Sequence, residues 1–276
     1  MIFTIPVLFL FRAGEYLPLE EVIKRQLGSS VKLIYGSAIS DHAAYYKKLL
    51  LDRVSPRIVA LGSSRVLQFR QYMFTHSFVN LGRAMSSIAE GLDITNEILA
   101  KDPDIVLLGV DYWWFNDKYE DPKITYIAQE NISVIPTPRH AVMVYEWLYD
   151  KKITISKIIR TIVLGVEDIG VAGQEKNGFG PDGSYYYTRR VMNGKEGNDI
   201  LFQDTLGRIE NGTRRFQYST SANQIYVENF VRLLSLLEEQ GVEVLVFFPP
   251  FANEVNERLR SMKGKYDYFE DVKIKL

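Results

Sequence analysis

Four short apolar runs, each cut off by turn residues, set the pattern of this chain. Arg57 to Leu61 follows Pro56 and ends in Gly62-Ser63-Ser64, and Phe78-Val79-Asn80-Leu81 ends in Gly82. Asp104 to Val110 is almost continuously apolar, and Val242 to Phe248 is closed by Pro249-Pro250. Runs of this length bounded by Gly and Pro predict strands, and unbroken ones predict strands buried on both faces of a parallel sheet. The segments between them carry helical signals. Ser40-Asp41 opens a helix that runs through Val54 and stops at Ser55-Pro56. Ser87-x-x-Glu90 and Ser221-x-x-Gln224 have capping-box spacing, ahead of helices that end near Lys101 and at Gly241. A helix or turn over Arg65 to Phe74 and a last helix over Ala252 to Lys263 complete the series. Strand, helix, strand in this order implies right-handed βαβ units and a three-layer α/β domain over residues 30–276.

Two regions depart from the alternation. Residues from about 112 to 218 read as a long insertion or cap, with Trp113-Trp114-Phe115, a helical stretch around Ala141 to Arg160, and Gly178 to Ser184 as a turn into the aromatic strand Tyr185-Tyr186-Tyr187. At the start, residues 1–11 are almost wholly apolar and Arg12 follows. Eleven residues are too few to span a bilayer, which takes about 20. Residues 1–12 are therefore either part of a membrane anchor or a buried terminal strand, and the anchor is preferred.

Composition narrows the function classes. With 33 basic and 34 acidic residues the chain has no electrostatic footprint for nucleic acid. The absence of cysteine removes disulfides, thiolate catalysis and cysteine-ligated zinc. No P-loop, dinucleotide fingerprint or metalloprotease motif occurs, so no metal or cofactor is expected. Asn131 and Asn211 stand in sequon patterns that recur by chance.

Three predicted strand ends hold small or polar residues, at Gly62-Ser63-Ser64, Asn80-Leu81-Gly82 and Gly109-Val110-Asp111. In open α/β sheets, ligands and reactive side chains gather at that edge. A serine there is a nucleophile once a base takes its proton, and the resulting oxyanion needs donors aimed at it. The alternative is that Ser63 and Ser64 simply cap a helix. In this order the three blocks resemble those of the SGNH (GDSL-like) hydrolase superfamily, in its bacterial membrane-anchored Gly-Ser-Ser-Arg branch related to polysaccharide O-acetyltransferases. The resemblance covers roughly residues 57–111. It implies a flavodoxin-like α/β/α fold with a mostly parallel sheet, Ser64 as nucleophile, and an oxyanion hole from Ser64, Gly82 and the position of Asp111. Asp111 stands where the superfamily has an asparagine donor, and an ionised carboxylate does not donate.

The base is missing from the pattern. The superfamily draws it from a late Asp-x-x-His block, whereas His42, His76 and His140 all lie upstream. His76 is close to Ser64 in sequence, but its neighbours Phe74 and Phe78 suit a packing role. The expectation is a chain that stops short of that block. The resemblance thus implies a serine esterase or O-acyltransferase acting on acylated envelope carbohydrate, with a membrane acyltransferase as a possible partner and an extracytoplasmic, membrane-anchored location. The alternative is a non-catalytic glycan-binding or accessory protein on the same fold.

Overall fold

All four apolar runs become strands of one sheet. They are β1 (Ile58–Gly62), β2 (Phe78–Gly82), β3 (Ile105–Gly109) and, late in the chain, Glu243–Phe247. The computed structural model describes residues 3–119, 135–193, 197 and 199–276. Its first helices are α1 (Thr4–Ala13), α2 (Leu19–Gly28) and α3 (Ala43–Arg53), and α4 (Ile88–Leu99) joins β2 to β3. Helices α5 (Pro138–Tyr149) and α6 (Ile155–Leu164) precede a hairpin of β4 (Gly178–Phe179) and β5 (Tyr185–Tyr186). Glu243–Phe247 is then β6, and the sheet order β2-β1-β3-β6 is parallel throughout. The fold is α/β of the three-layer α/β/α class.

The chain divides into two compact units, Met1–Leu50 with Ile127–Thr188, and Leu51–Tyr126 with Arg189–Leu276. The segment expected as one insertion is thus split. Its central part groups with the N-terminal residues, and residues 189–218 belong to the sheet unit.

In the sheet unit, Val59, Leu61, Val79, Leu81, Val106 and Leu108 are fully buried on one face. Each buried side chain of this kind contributes about 1.5–3 kcal/mol. On the other face Ile58, Ala60 and Phe78 form a cluster with Ile105 and Leu107, covered by Phe69 and Phe74. Ser87 caps α4 by accepting the Glu90 N–H at 3.2 Å, but the Glu90 carboxylate turns to Ser86 instead of closing the box on Ser87. Helix Gln224–Glu238 packs on α4, with Leu233 so close to Gly91 that a Cβ there would lie 2.6 Å from it. Its cap is Asn223, whose Oδ1 accepts the N–H of Ile225 at 2.9 Å, and not Ser221. The reason is tertiary: the Asp271 carboxylate accepts the Ala222 N–H at 2.8 Å and so holds the residue after Ser221 outside the helix. Asp271 belongs to a further helix, Tyr268–Lys275, beyond the expected last one, which runs Asn253–Ser261. Strand β6 lies at the sheet edge and leaves Leu245 48% exposed, unusual in a parallel sheet.

In the other unit the N-terminal run is a helix, which corrects the strand alternative. Apolar runs without a period leave helix and strand unresolved. Here Pro6 falls in the first turn, where its missing N–H costs nothing, and Gly14 ends the helix at φ 87°. Phe9, Leu10 and Ala13 then pack with Val144, Ile153 and Ile158. Among the described residues no helix is long and apolar enough to cross a membrane, and Met1 and Ile2 lie outside them, as does Asn131. The helical stretch at 141–160 is two helices, parted where Lys151 takes φ 57° and Thr154 caps α6. Gly178 to Ser184 forms the expected turn, and β4 and β5 pair antiparallel across it. Buried Glu15 ties three segments together: its carboxylate accepts the N–H groups of Ala38 at 3.0 Å and Val171 at 2.7 Å and the Ser37 hydroxyl at 2.6 Å.

Glu15→Ala would leave those donors without an acceptor. The expected loss is about 2–5 kcal/mol in urea unfolding followed by tryptophan fluorescence. A loss under about 0.5 kcal/mol, the size of an ordinary surface change, would contradict this role.

Candidate functional site

The parallel register brings the strand ends into line. Gly62 pairs with Gly82 on one side and Gly109 on the other, and Gly109 pairs with Phe247. Ser63-Ser64, Arg83, Val110-Asp111 and Phe248-Pro249 therefore emerge along one carboxyl edge. The three glycines form a row beneath Val66. A Cβ at Gly109 would lie 2.2 Å from Val66 Cγ1, and one at Gly82 would lie 2.9 Å from Leu67 Cδ2. Gly62 also sits at φ 152°, a conformation that side chains rarely adopt.

Beyond Gly62 the chain makes only a short 3-10 turn, Ser64–Val66, and a second at Gln71–Met73, where a helix or turn was expected. Buried Ser63 does the capping, its Oγ accepting the Arg65 N–H at 3.3 Å. Ser64 is exposed, and its hydroxyl has no hydrogen-bond partner among the described residues. Of the two serines, Ser63 thus serves as the cap and Ser64 is open to solvent.

Arg65 links three of the four strand ends. Its Nη1 donates to Asp111 Oδ1 at 2.9 Å, beyond β3, and its Nη2 donates to the carbonyl of Pro249, beyond β6. Its guanidinium lies 4.3 Å from the ring centre of Phe251 and 5.6 Å from that of Trp113. Asp111 is 0% exposed, and its Oδ2 has no hydrogen-bond partner. Burial pushes its carboxyl above the ordinary range, opposed by the charge of Arg65 and by the nearby Ser63 hydroxyl. Asp111 is an acceptor here, where the motif calls for a donor.

Gly82 is also occupied. Its N–H donates to Asn80 Oδ1 at 2.7 Å, while Asn80 Nδ2 donates to the carbonyls of Val66 and Phe69. Asn80 therefore fixes the Ser64 turn onto β2 and takes up the amide assigned to the oxyanion. His76 precedes Phe78 at the opposite end of β2 from Gly82, so strand length alone separates it from Ser64 by roughly 13 Å. It is exposed and serves no base role at this edge.

Trp113, Trp114 and Phe115 are buried in a 3-10 turn, Tyr112–Phe115, and belong to the core. Tyr112 before them lines a groove. Its ring is stacked between Phe248 and Phe269, with centroids 4.4 Å away on either side. Beside this stack is a cleft of about 350 Å³ lined by Tyr112, Phe248, Pro249, Phe251 and Phe269, with Arg260, Lys263 and Lys273 among its charged residues. Two of its wall residues, Pro249 and Phe251, are also contacts of Arg65, while Ser64 and Arg65 themselves are not part of its lining. No family model, curated protein or solved structure matches this chain. The cleft was not read from the sequence. Its signal was Phe247-Phe248-Pro249-Pro250-Phe251 directly after a strand, an aromatic run at the edge where ligands gather.

Two outcomes follow from this geometry. Gly109→Ala drives a methyl into Val66, and the expected loss is about 1–3 kcal/mol in urea unfolding; a neutral result would remove the packing role of the glycine row. The Asp111 carboxyl keeps its proton to higher pH in the folded protein than in the unfolded chain. Between those two values the folded state binds more protons, so this group's contribution to stability falls as pH rises. The difference in unfolding free energy, wild type minus Asp111→Asn, is expected to decrease as pH climbs from about 4, the ordinary carboxylate value. A difference that grows instead would place the carboxyl below its ordinary range.

Proposed function

We propose that the sheet unit is an SGNH-like serine esterase or O-acyltransferase, with Ser64 as nucleophile and acylated carbohydrate as substrate. One observation carries the reading: an exposed serine stands on a tight turn at the carboxyl end of the central strand β1, and the next residue, Arg65, contacts Pro249 and Phe251, two residues that line the aromatic cleft. In the reaction the Ser64 hydroxyl adds to the acyl carbon, its proton passes to a base, and the sugar oxygen leaves with a proton. Transfer of the acyl group to water gives an esterase, and transfer to a second hydroxyl gives an acyltransferase. The aromatic cleft is of a size to seat a single sugar ring or a short acyl group, at the lower end of the range for ligand sites.

Two observations favour a second reading, a non-catalytic carbohydrate-binding or accessory protein on the same fold. The Gly82 amide is already bonded to Asn80, and no histidine among the described residues of this edge reaches Ser64.

Labelling with a fluorophosphonate separates the two. The catalytic reading expects covalent labelling that disappears in Ser64→Ala, together with hydrolysis of a p-nitrophenyl acetate probe that falls by about a hundredfold or more in the same variant. Labelling that persists in Ser64→Ala moves the nucleophile elsewhere. No labelling and no turnover by the wild-type chain leaves the binding reading.

A further inference from the structure

Arg215 has a fixed backbone and an unspent side chain. It lies in the 3-10 turn Arg214–Phe216, and Phe216 is buried against Trp113 and Phe251, with ring centroids 6.2 Å away in each case. The carbonyl of Phe216 accepts the Tyr266 hydroxyl at 2.9 Å, and that of Gln217 accepts Asn116 Nδ2 at 2.7 Å. The two residues after Arg215 are therefore pinned to buried partners. Its own half-buried guanidinium lies 5.3 Å from the ring centre of Trp113, the ring that Arg65 also approaches. Among the described residues it makes no hydrogen bond and no ion pair, so its N–H donors have no acceptor in the protein.

The acids around it are already engaged. Asp111 is paired with Arg65 at 2.9 Å. On the cleft wall Glu270 is paired with Lys273 at 2.6 Å, and Asp267 Oδ1 accepts the Gly264 N–H at 3.1 Å. Arg260 and Lys263 line the same cleft and make no ion pair among the described residues. The charge of Arg215 acts on Asp111 in the same direction as that of Arg65, which puts its guanidinium at the carboxyl edge from which Ser64 emerges. Cations in excess, with donors left over, favour a ligand with anionic oxygens. A guanidinium is planar, and its paired N–H groups match two oxygens of a carboxylate or a phosphate.

We propose that Arg215 is a specificity-determining residue that receives a carboxylate or phosphate group on the sugar, so that this edge takes acidic in preference to neutral carbohydrate. The inference rests on the reading of the edge as a carbohydrate site. It adds the charge of the ligand and the residue that selects it. Arg65 is not available for this task, because Asp111 and the Pro249 carbonyl already hold its two terminal nitrogens.

The test is calorimetric titration of the whole chain with galacturonate, galactose 6-phosphate and galactose at one ionic strength, beside the fluorophosphonate and p-nitrophenyl acetate assays. At least one acidic sugar is expected to bind about tenfold or more tighter than galactose. Binding of galacturonate alone assigns a carboxylate, and binding of galactose 6-phosphate alone assigns a phosphate. Arg215→Gln is expected to abolish the preference, and Arg215→Lys to keep part of it, since lysine retains the charge and loses the fork. Far-UV circular dichroism checks that both variants are folded. Equal binding of all three sugars, binding of none, or a preference that survives Arg215→Gln overturns the proposal. Selective binding without labelling or turnover upholds Arg215 and removes Ser64 as nucleophile, whereas turnover without selective binding does the reverse.

Discussion

The carboxyl edge of the sheet depends on one buried ion pair. Asp111 has lost all contact with solvent, and among the described residues its ion pair is with the Arg65 guanidinium. Such a pair adds little net stability over an apolar replacement, but losing one partner strands the other. Its effect here is positional. Arg65 follows β1, Asp111 follows β3, and the Pro249 carbonyl follows β6, so one planar guanidinium fixes the spacing of three chain segments. Whatever Ser64 does, it does from a turn whose next residue is held on two sides.

The glycine row complements that constraint from below. By resemblance Gly62, Gly82 and Gly109 belong to three motif blocks, with Ser64 as nucleophile and the Gly82 amide as an oxyanion donor. The register explains them in another way, since they are the only residues that leave room for Val66 and Leu67 to settle on the strand ends. The two explanations are compatible for Gly62 and Gly109. For Gly82 they compete, because its N–H already has a partner in Asn80.

The strands were legible because burial on both faces leaves continuous apolar runs, and such runs occur at each of the four places where the sheet has a strand. Helix α4 was legible from Ser87 and its apolar period. The start of the helix at Gln224 was displaced because the Asp271 carboxylate, almost fifty residues away in sequence, decides which residue caps it. Helix α1 was read as an anchor or a strand because its outward face is as apolar as its inward one, which erases the period. The division into two units was invisible for a similar reason: it rests on long-range contacts such as those of Glu15 with Ala38 and Val171, and no local composition marks them. At the site, Ser64 and Asp111 were visible as residue types at strand ends. Arg65 and the Phe248–Tyr112–Phe269 stack were not, since side chains from three distant segments meet only after folding.

The uncovered side of β6 has a consequence for how the molecule behaves in solution. Glu243 is the single charge in Glu243-Val244-Leu245-Val246-Phe247, and it sits at one end of the strand. Backbone donors and acceptors along that margin are a template for any extended chain of matching length. Among the described residues no strand pairs with that margin, and a charge in the middle of β6 is the kind of feature that keeps such an edge from pairing with another chain.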